Sequence, residues 1–357
     1  MSEPGIRDAI KTKTAPSMIG GQAVMEGVMM RGKTCYALAV RNQQKEISTK
    51  CVEFNMRKGA TLKKIPILRG IYMFGSSLAL GFKCIKDSAE MAGLDDLTEE
   101  NPTKFDMWLE RKFGDKLYNV IMAISMVFAI VFNVALFMVL PTVITHFATR
   151  PLLDIPEGDH WAITLSEGIV RLLVFFCFLW LMSKMKDIQR LFAYHGAEHK
   201  VIHCHEHGME LTVENARNCT RLHKRCGTSF LFLVMIISMI FFIAVPLPID
   251  GLLFRIASRV FFVPVIAGIS YEVLKFAGTS NSAIIGLLSI PGLALQKLTT
   301  VEPNDGQIEV AIASMKLVLQ HEGTLPEDEL ITTDNNVPLD GDNIDNNPNS
   351  ENSESDA

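Results

Sequence analysis

Apolar residues along this chain come in long blocks, separated by strongly charged segments. Leu117–Thr145 contains no charged residue, and this length is sufficient for a helix to cross the core of a bilayer. Gly227–Ile249 is also uncharged, while Trp161–Met182 and Gly251–Leu274 are apolar blocks that carry a few charges. The pattern predicts a mainly α-helical, polytopic membrane protein with four spans.

A fifth block, Phe276–Gln296, is polar at one end and is interrupted by Pro291-Gly292. We interpret it as either a re-entrant segment or a weak fifth span. Within the second block, Glu167 and Arg171 are four residues apart. Ionisable groups inside spans face the helix bundle and pair with one another, so we expect these two to form an ion pair.

The N-terminal part has a different pattern. Residues 18–56 predict a small β element, in which Cys35–Val40 is strand-like and Asn42-Gln43 turns the chain into a second strand over Ile47–Phe54. Gly70–Phe82 is too short to span a membrane. It predicts either a helix lying on the membrane surface or a buried amphipathic helix of a soluble layer.

The C-terminal part predicts one amphipathic helix, followed by an acidic tail. Four apolar residues repeat at helical spacing: Ile308, Ile312, Met315 and Leu319. From residue 302 onward there are fourteen acidic residues and one basic residue, Lys316. The expected organisation is a disordered N-terminus (1–17), a cytoplasmic region with the β element (18–116), a transmembrane domain (117–298) with a cytoplasmic loop (183–226), a cytoplasmic helix (299–323) and a disordered tail (324–357).

Composition and charge support this organisation. The 357 residues are 48% hydrophobic, with a mean hydropathy of +0.23, which argues against an ordinary soluble protein. The loop Ser183–Cys226 contains eight basic residues, whereas the loop Thr145–His160 contains one. The positive-inside rule therefore places the loop Ser183–Cys226 in the cytoplasm. Met1–Thr14 is polar and predicts no cleavable signal. We therefore expect a multi-pass protein of the cell membrane with a cytoplasmic N-terminus and free cysteine thiols.

The cytoplasmic loop contains the pattern His195-Gly-Ala-Glu198-His199. On a helix, residues three and four positions apart share one face, so the two histidines can hold one metal ion with Glu198 beside it, as in zinc hydrolases. The same helical face continues through Ile202, His203 and Glu206, whereas His205 and His207 point elsewhere.

A third metal ligand is expected from a second cluster, Cys219 to Ser229, or from a nearby acid. His223 and Cys226 are three residues apart and both suit zinc, as do Glu206 and Glu214. Of these, we expect His223. Glu26, a lone acid in the glycine-rich segment of residues 20–32, either joins the histidine cluster or lies exposed in a turn.

Three functions are compatible with these residues. The first is a hydrolase that depends on a divalent metal, with zinc expected, in which Glu198 is the general base and Arg225 holds an anionic substrate. The second is a non-catalytic scaffold with a structural zinc bound by Cys219, His223 and Cys226. The third is a transporter that uses the charged groups of the spans. The expected partner is the lipid bilayer rather than nucleic acid, and the substrate and a homo-oligomeric state are left open.

Five stretches resemble the YqhQ-like family of uncharacterised bacterial membrane proteins, described as predicted metal-dependent enzymes. They are Gly20–Arg31, Tyr194–Lys200, Leu211–Asn215, Leu222–Phe230 and Glu309–Ile312, within a resemblance that extends from about Ser17 to Leu319. The resemblance implies a shortlist of site residues: Glu26, His195, Glu198, His199, Glu214, His223, Arg225 and Cys226. It implies no particular reaction.

Overall fold

The computed structural model describes residues 19–54, 65–93, 117–156, 158–223, 226–245, 251–279 and 283–325. The predicted disordered N-terminus, all but the first two residues of the predicted tail and the proposed substrate-binding Arg225 lie outside these ranges. The chain is mainly helical, with a small antiparallel sheet near the N-terminus, as the sequence predicts.

One sheet has four strands in the order β1-β2-β3-β4. They are β1 (Gly20–Val24), β2 (Gly27–Arg31), β3 (Cys35–Arg41) and β4 (Ile47–Glu53). The predicted hairpin is confirmed by β3 and β4, which pair antiparallel. The glycine-rich segment forms a further hairpin, β1 and β2, which the sequence pattern did not identify as strands.

Steric contacts explain why residue 27 of this first hairpin is a glycine. Val24 pairs with Gly27 across a two-residue turn, and Glu26 in the turn has a φ of 52°. A Cβ atom at residue 27 would lie 2.3 Å from the carbonyl oxygen of Ala39 on β3. Any side chain at residue 27 would push β2 and β3 apart.

The described helices follow in chain order. They are α1 (Leu68–Met91), α2 (the consecutive segments Leu117–Val134, Ala135–Val139, Leu140–Ile144, Thr145–Thr149 and Arg150–Leu152), α3 (His160–Met182), α4 (Lys186–Glu206), α5 (Val213–Arg217), α6 (Gly227–Ala244), α7 (Leu252–Phe261), α8 (Val263–Thr279), α9 (Ala283–Thr299) and α10 (Asp305–His321). In α2, Ala135–Val139 and Thr145–Thr149 are π-helical.

Among the residues that the structure describes, two or three helices fit a membrane, compared with the predicted four or five. By length and composition, Ile124–Leu152 and His160–Met182 are candidate spans. A third is formed if Leu252–Phe261 and Val263–Phe276, which meet at an angle of 44°, count as one bent span. The apolar helix Phe230–Ala244 falls short of the length of a span.

A buried ionic network links the candidate spans. Arg171 Nη2 donates to Glu167 Oε1 at 3.0 Å, which confirms the predicted pair. Arg259 of α7 donates to both oxygens of the same carboxylate, at 3.0 and 3.1 Å. Thr142 of α2 donates to it as well, at 2.9 Å. Since one carboxylate joins α2, α3 and α7, it holds the three helices in register.

The first helix packs against the bent candidate span. α1 and α8 approach closely, since a Cβ atom at Gly70 would lie 2.6 Å from the carbonyl oxygen of Gly268. One turn away, Arg69 donates two hydrogen bonds to Glu272 at 3.1 and 2.5 Å. The segment predicted as a surface or buried amphipathic helix is thus a 24-residue helix that is docked on α8.

The sheet, α4, α5 and α10 share one hydrophobic core. The helix predicted from the spacing of Ile308, Ile312, Met315 and Leu319 is α10, and it buries all four side chains. Its Ser314 accepts a hydrogen bond from the backbone of β2 and donates one to the backbone of β3. This core supports α4, which carries the histidines, on two sides.

Candidate metal centre

Helix α4 carries a glycine, Gly196, at its centre, where a Cβ atom would lie 2.3 Å from the carbonyl oxygen of Val301. The predicted stripe is present within Lys186–Glu206: His199, Ile202, His203 and Glu206 are buried, and His195 is half-buried. His207, by contrast, lies outside the helix and is exposed. The predicted stripe thus lies on one helix, but burial does not distinguish it, because every residue from Gly196 to Cys204 is buried and His205 is half-buried.

Three ligand-type side chains converge at this stripe. One ligand atom each of His195, His199 and Cys226 lies within 4.8 Å of the other two. His195 Nε2 is 3.2 Å from Cys226 Sγ, and the centroids of the two imidazole rings are 4.4 Å apart. Two imidazoles and a thiolate are a donor set that zinc prefers.

Backbone carbonyls orient both imidazoles. His195 Nδ1 donates to the Thr299 carbonyl at 2.8 Å, and His199 Nδ1 donates to the Arg221 carbonyl at 2.6 Å. These bonds leave the Nε2 atoms as the ligand atoms. A carbonyl partner on the far nitrogen is the usual second shell of a metal-binding histidine, so the arrangement fits a metal site.

Electrostatics favour the thiolate form of Cys226. Burial would raise the pKa of this thiol, but the adjacent His199 and His195 outweigh burial and hold the pKa well below its ordinary value. Burial would lower the pKa of His195, but the Cys226 thiolate and Glu198 raise it to about 9. The thiolate is the form that binds metals.

Glu198 lies between the two histidines on the side that faces the sheet. Its carboxylate accepts a hydrogen bond from the backbone of Gly21 on β1, and burial raises the pKa of this carboxyl. A Cβ atom at residue 21 would lie 2.7 Å from Glu198 Cγ, so the glycine lets the strand pass directly over the acid. A buried carboxylate with a raised pKa beside a metal site is suited to accept a proton.

The other candidate ligands in the loop are not among the three clustered ligand atoms, although the centroid of the His223 ring is 5.7 Å from that of His199. The expected third ligand, His223, places its Nε2 3.3 Å from Glu206 Oε2, so these two candidates contact each other. The His223 backbone exchanges hydrogen bonds of 2.8 and 2.7 Å with the Gln296 side chain. Glu214 is exposed on α5.

Glu26 lies near α4, but not among the three ligand atoms. In the turn between β1 and β2, its carboxylate pairs with Arg190 at 2.5 Å and accepts from the Tyr194 hydroxyl at 3.3 Å. Glu26 therefore ties the sheet to the helix one turn before the metal centre.

Sequence reasoning missed the residues that hold the loop in place. Lys200 is 2% exposed and donates to the carbonyls of Arg217 and Cys219 at 3.0 and 2.9 Å. Its ammonium also pairs with Glu302 at 2.7 Å. The sequence neighbours of Lys200 are His199 and Val201, and this local pattern does not predict that its ammonium group is buried.

His203 should make the protein sensitive to acid. Its Nε2 donates to the Leu222 carbonyl at 2.9 Å, and burial, together with the nearby His223, lowers its pKa to about 4. In the unfolded chain a histidine has a pKa of about 6.5. Because the unfolded state takes up the proton first, the contribution to stability is complete above that value and is lost as the pH falls towards 4.

We expect His203→Asn to reduce the loss of stability on acidification by roughly 2–3 kcal/mol. The measurement is thermal unfolding in detergent between pH 7.5 and pH 4.5. His160→Asn, which replaces an exposed histidine at the start of α3, is the control and should follow wild type. An H203N protein with the pH dependence of wild type would contradict this assignment.

Comparison with known proteins identifies relatives of unknown function. Residues 65–321 match the family described as "Protein of unknown function (DUF1385)". The chain is 37% identical over 309 residues to the uncharacterized protein YqhQ of Bacillus subtilis (strain 168). The aligned residues make up 86% of this chain and 94% of that protein. No solved structure matches the chain.

Proposed function

The chain belongs to the DUF1385 family, and we propose that it is a metal-dependent hydrolase that acts on a membrane-associated substrate. The observation that carries the proposal is the convergence of His195, His199 and Cys226 within 4.8 Å, directly beside the buried carboxyl of Glu198. The first three residues would hold the metal, and the fourth would act on the substrate or on water.

Zinc is the metal we propose. The site combines a thiolate with two imidazoles whose Nδ1 atoms are hydrogen-bonded to carbonyl oxygens. Soft thiolate and imidazole donors favour zinc over magnesium or calcium, which prefer oxygen. Three protein ligands leave one tetrahedral position for a substrate or a solvent molecule, as in catalytic zinc sites.

Each residue then has a defined task. A bound zinc ion supplies Lewis acidity and lowers the pKa of water. Glu198 accepts a proton, and its burial between α4 and Gly21 excludes bulk water from that carboxylate. Arg225, one residue before Cys226 in the sequence, is proposed to hold an anionic group of the substrate.

We also propose the membrane topology that the basic residues predict. The metal centre lies on the cytoplasmic face, four spans cross the bilayer, and the segment of residues 276–296 is re-entrant or a fifth span. The candidate spans Ile124–Leu152 and His160–Met182 support the first two crossings. A substrate that is a lipid, a membrane-anchored compound or a membrane-bound peptide would reach such a site from the bilayer surface.

Glu198→Gln tests the proposed chemistry. The zinc-loaded wild-type protein, screened against ester, phosphoester and peptide substrates in lipid vesicles, should hydrolyse at least one class. The variant should retain its zinc and lose about 10²–10⁴-fold in rate, the usual contribution of a general base. Equal rates in the two proteins, measured at equal zinc content, would contradict the role of Glu198.

A structural zinc is the second candidate function, and one observation favours it. Cys226 immediately precedes α6, while both histidines lie on α4, so an ion would fasten the start of one helix to the middle of another. In that case Glu198→Gln changes no activity, and chelation lowers the melting temperature. We do not favour ion transport, because Glu167 and Arg171 are fully engaged in hydrogen bonds that join helices.

A further inference from the structure

The ionic network inside the candidate spans carries an excess of positive charge. Glu167 is 1% exposed and contacts two arginines, Arg171 and Arg259, which are 8% and 7% exposed. One negative and two positive charges leave a surplus of one positive charge among these three side chains. Surplus charge in an apolar environment is costly unless a counter-charge is close.

A further arginine adds to this surplus. Arg255 lies on α7, one turn before Arg259, and is half-buried. It is close enough to Glu167, Arg259 and Arg150 to interact electrostatically with all three. Among the residues that the structure describes, no side chain or carbonyl forms a hydrogen bond or an ion pair with its guanidinium.

The two arginines of α7 differ in their surroundings. Arg259 is satisfied by two hydrogen bonds to Glu167 and by the ring of Phe242, whose centroid is 3.8 Å from its guanidinium carbon. Arg255 instead has two exposed neighbours, Leu253 at 81% and Phe254 at 63%. This part of α7 therefore lies at the edge of the helix bundle, and the Arg255 side chain is half-buried there.

Like charges one helical turn apart repel each other, and this repulsion grows as water is excluded. The planar guanidinium presents paired N–H groups at the spacing of two phosphate oxygens. A phosphate at Arg255 would satisfy these donors and also neutralise the field of Arg259 and Arg150. The Glu167 carboxylate interacts with Arg255 without a hydrogen bond, and it already accepts hydrogen bonds from Arg171, Arg259 and Thr142.

We propose that Arg255 binds a phosphate-bearing anion at the edge of the bundle where α7 packs against α2. The phosphate comes either from the headgroup of an anionic lipid or from free phosphate in solution. The site lies on different helices from the metal centre, and it does not depend on the proposed hydrolase activity.

The test is native mass spectrometry of the full chain in detergent. The probes are a phosphatidylglycerol, a phosphatidylcholine with the same acyl chains, and inorganic phosphate. We expect phosphatidylglycerol to bind wild type more tightly than phosphatidylcholine, and Arg255→Gln to weaken that binding by at least about tenfold, the effect of losing roughly 1.4 kcal/mol of interaction. Arg255→Lys, which keeps the charge but loses the planar fork, should fall between the two.

Arg217→Gln is the matched control, because it removes one exposed arginine outside the candidate spans, and it should bind as wild type does. Binding of inorganic phosphate that is lost in R255Q would support a soluble anion as the source, and binding of phosphatidylglycerol alone would support a lipid. No preference for anions in wild type, or equal binding by wild type and R255Q, would overturn the proposal and leave Arg255 as a side chain that reaches towards solvent.

Discussion

Replacing Cys226 by serine is expected to weaken the binding of divalent metal by at least about 100-fold. Loss of a second-shell partner already costs about 10–100-fold in metal affinity, and Cys226 is itself a member of the three-residue cluster. A serine hydroxyl keeps the shape of the side chain but supplies no thiolate at neutral pH. Metal analysis of the purified protein after dialysis should find close to one ion per chain in wild type and little in the variant.

Cys177→Ser is the control for this experiment, because Cys177 is an exposed free cysteine on α3 and should retain the metal. His223→Asn is a second, sharper control. The His223 ring lies beside that of His199, but its Nε2 atom faces Glu206 and it is not among the three clustered ligand atoms, so that variant should keep most of the ion. A C226S protein with wild-type metal content, or an H223N protein without metal, would show that the third ligand has been misassigned.

Replacing Glu167 by leucine is expected to destabilise the helix bundle by about 3–5 kcal/mol, the cost of breaking a buried ion pair. The substitution removes the acceptor for Arg171, Arg259 and Thr142 at once. It leaves two buried guanidinium groups without their counter-charge. Unfolding in mixed micelles of increasing denaturing detergent content would measure the change.

Glu272→Leu is the matched comparison. Its carboxylate also pairs with an arginine, Arg69, but both side chains are about one quarter exposed. Partly exposed pairs contribute about 1 kcal/mol or less, so this loss should be much the smaller one. Equal destabilisation by the two substitutions would mean that Glu167 does not organise the bundle.

The sequence predicted those parts of the site that depend on local periodicity. His195, Glu198 and His199 share a helix, and a helix of known period places them together whatever surrounds it. The same reasoning identified α10 from Ile308 and its successors, and the hairpin of β3 and β4 from alternation around a turn. In each case the signal and the structure span fewer than twenty-five residues.

The choice of the third ligand depended on tertiary contacts. His223 and Cys226 are three residues apart, and the expectation that they face one way assumes a helix. The described residues on either side of residues 224–225 are not helical. Gln296, more than seventy residues away, forms hydrogen bonds with the backbone of His223. The imidazole ring of His223 then contacts Glu206. The spacing of residues in the sequence cannot predict the contact between His223 and Gln296.

The glycine-rich strands and the bend within one predicted span were not apparent in the sequence, for different reasons. β1 and β2 lack the alternation of a half-buried strand, because Gly21 and Gly27 are dictated by close contacts with Glu198 and Ala39. The apolar block Gly251–Leu274 predicts one straight span, but α7 and α8 meet at an angle of 44° between Phe261 and Val263. Hydropathy averages over such a bend and does not detect it.

X-ray absorption at the zinc edge of the zinc-loaded full chain is the most direct test of the central claim. A site built from His195, His199 and Cys226 predicts one sulfur at about 2.3 Å and two imidazole nitrogens at about 2.0–2.1 Å, with the sulfur lost in Cys226→Ser. A first shell with no sulfur, or one with two or more sulfurs, would contradict the proposed metal centre.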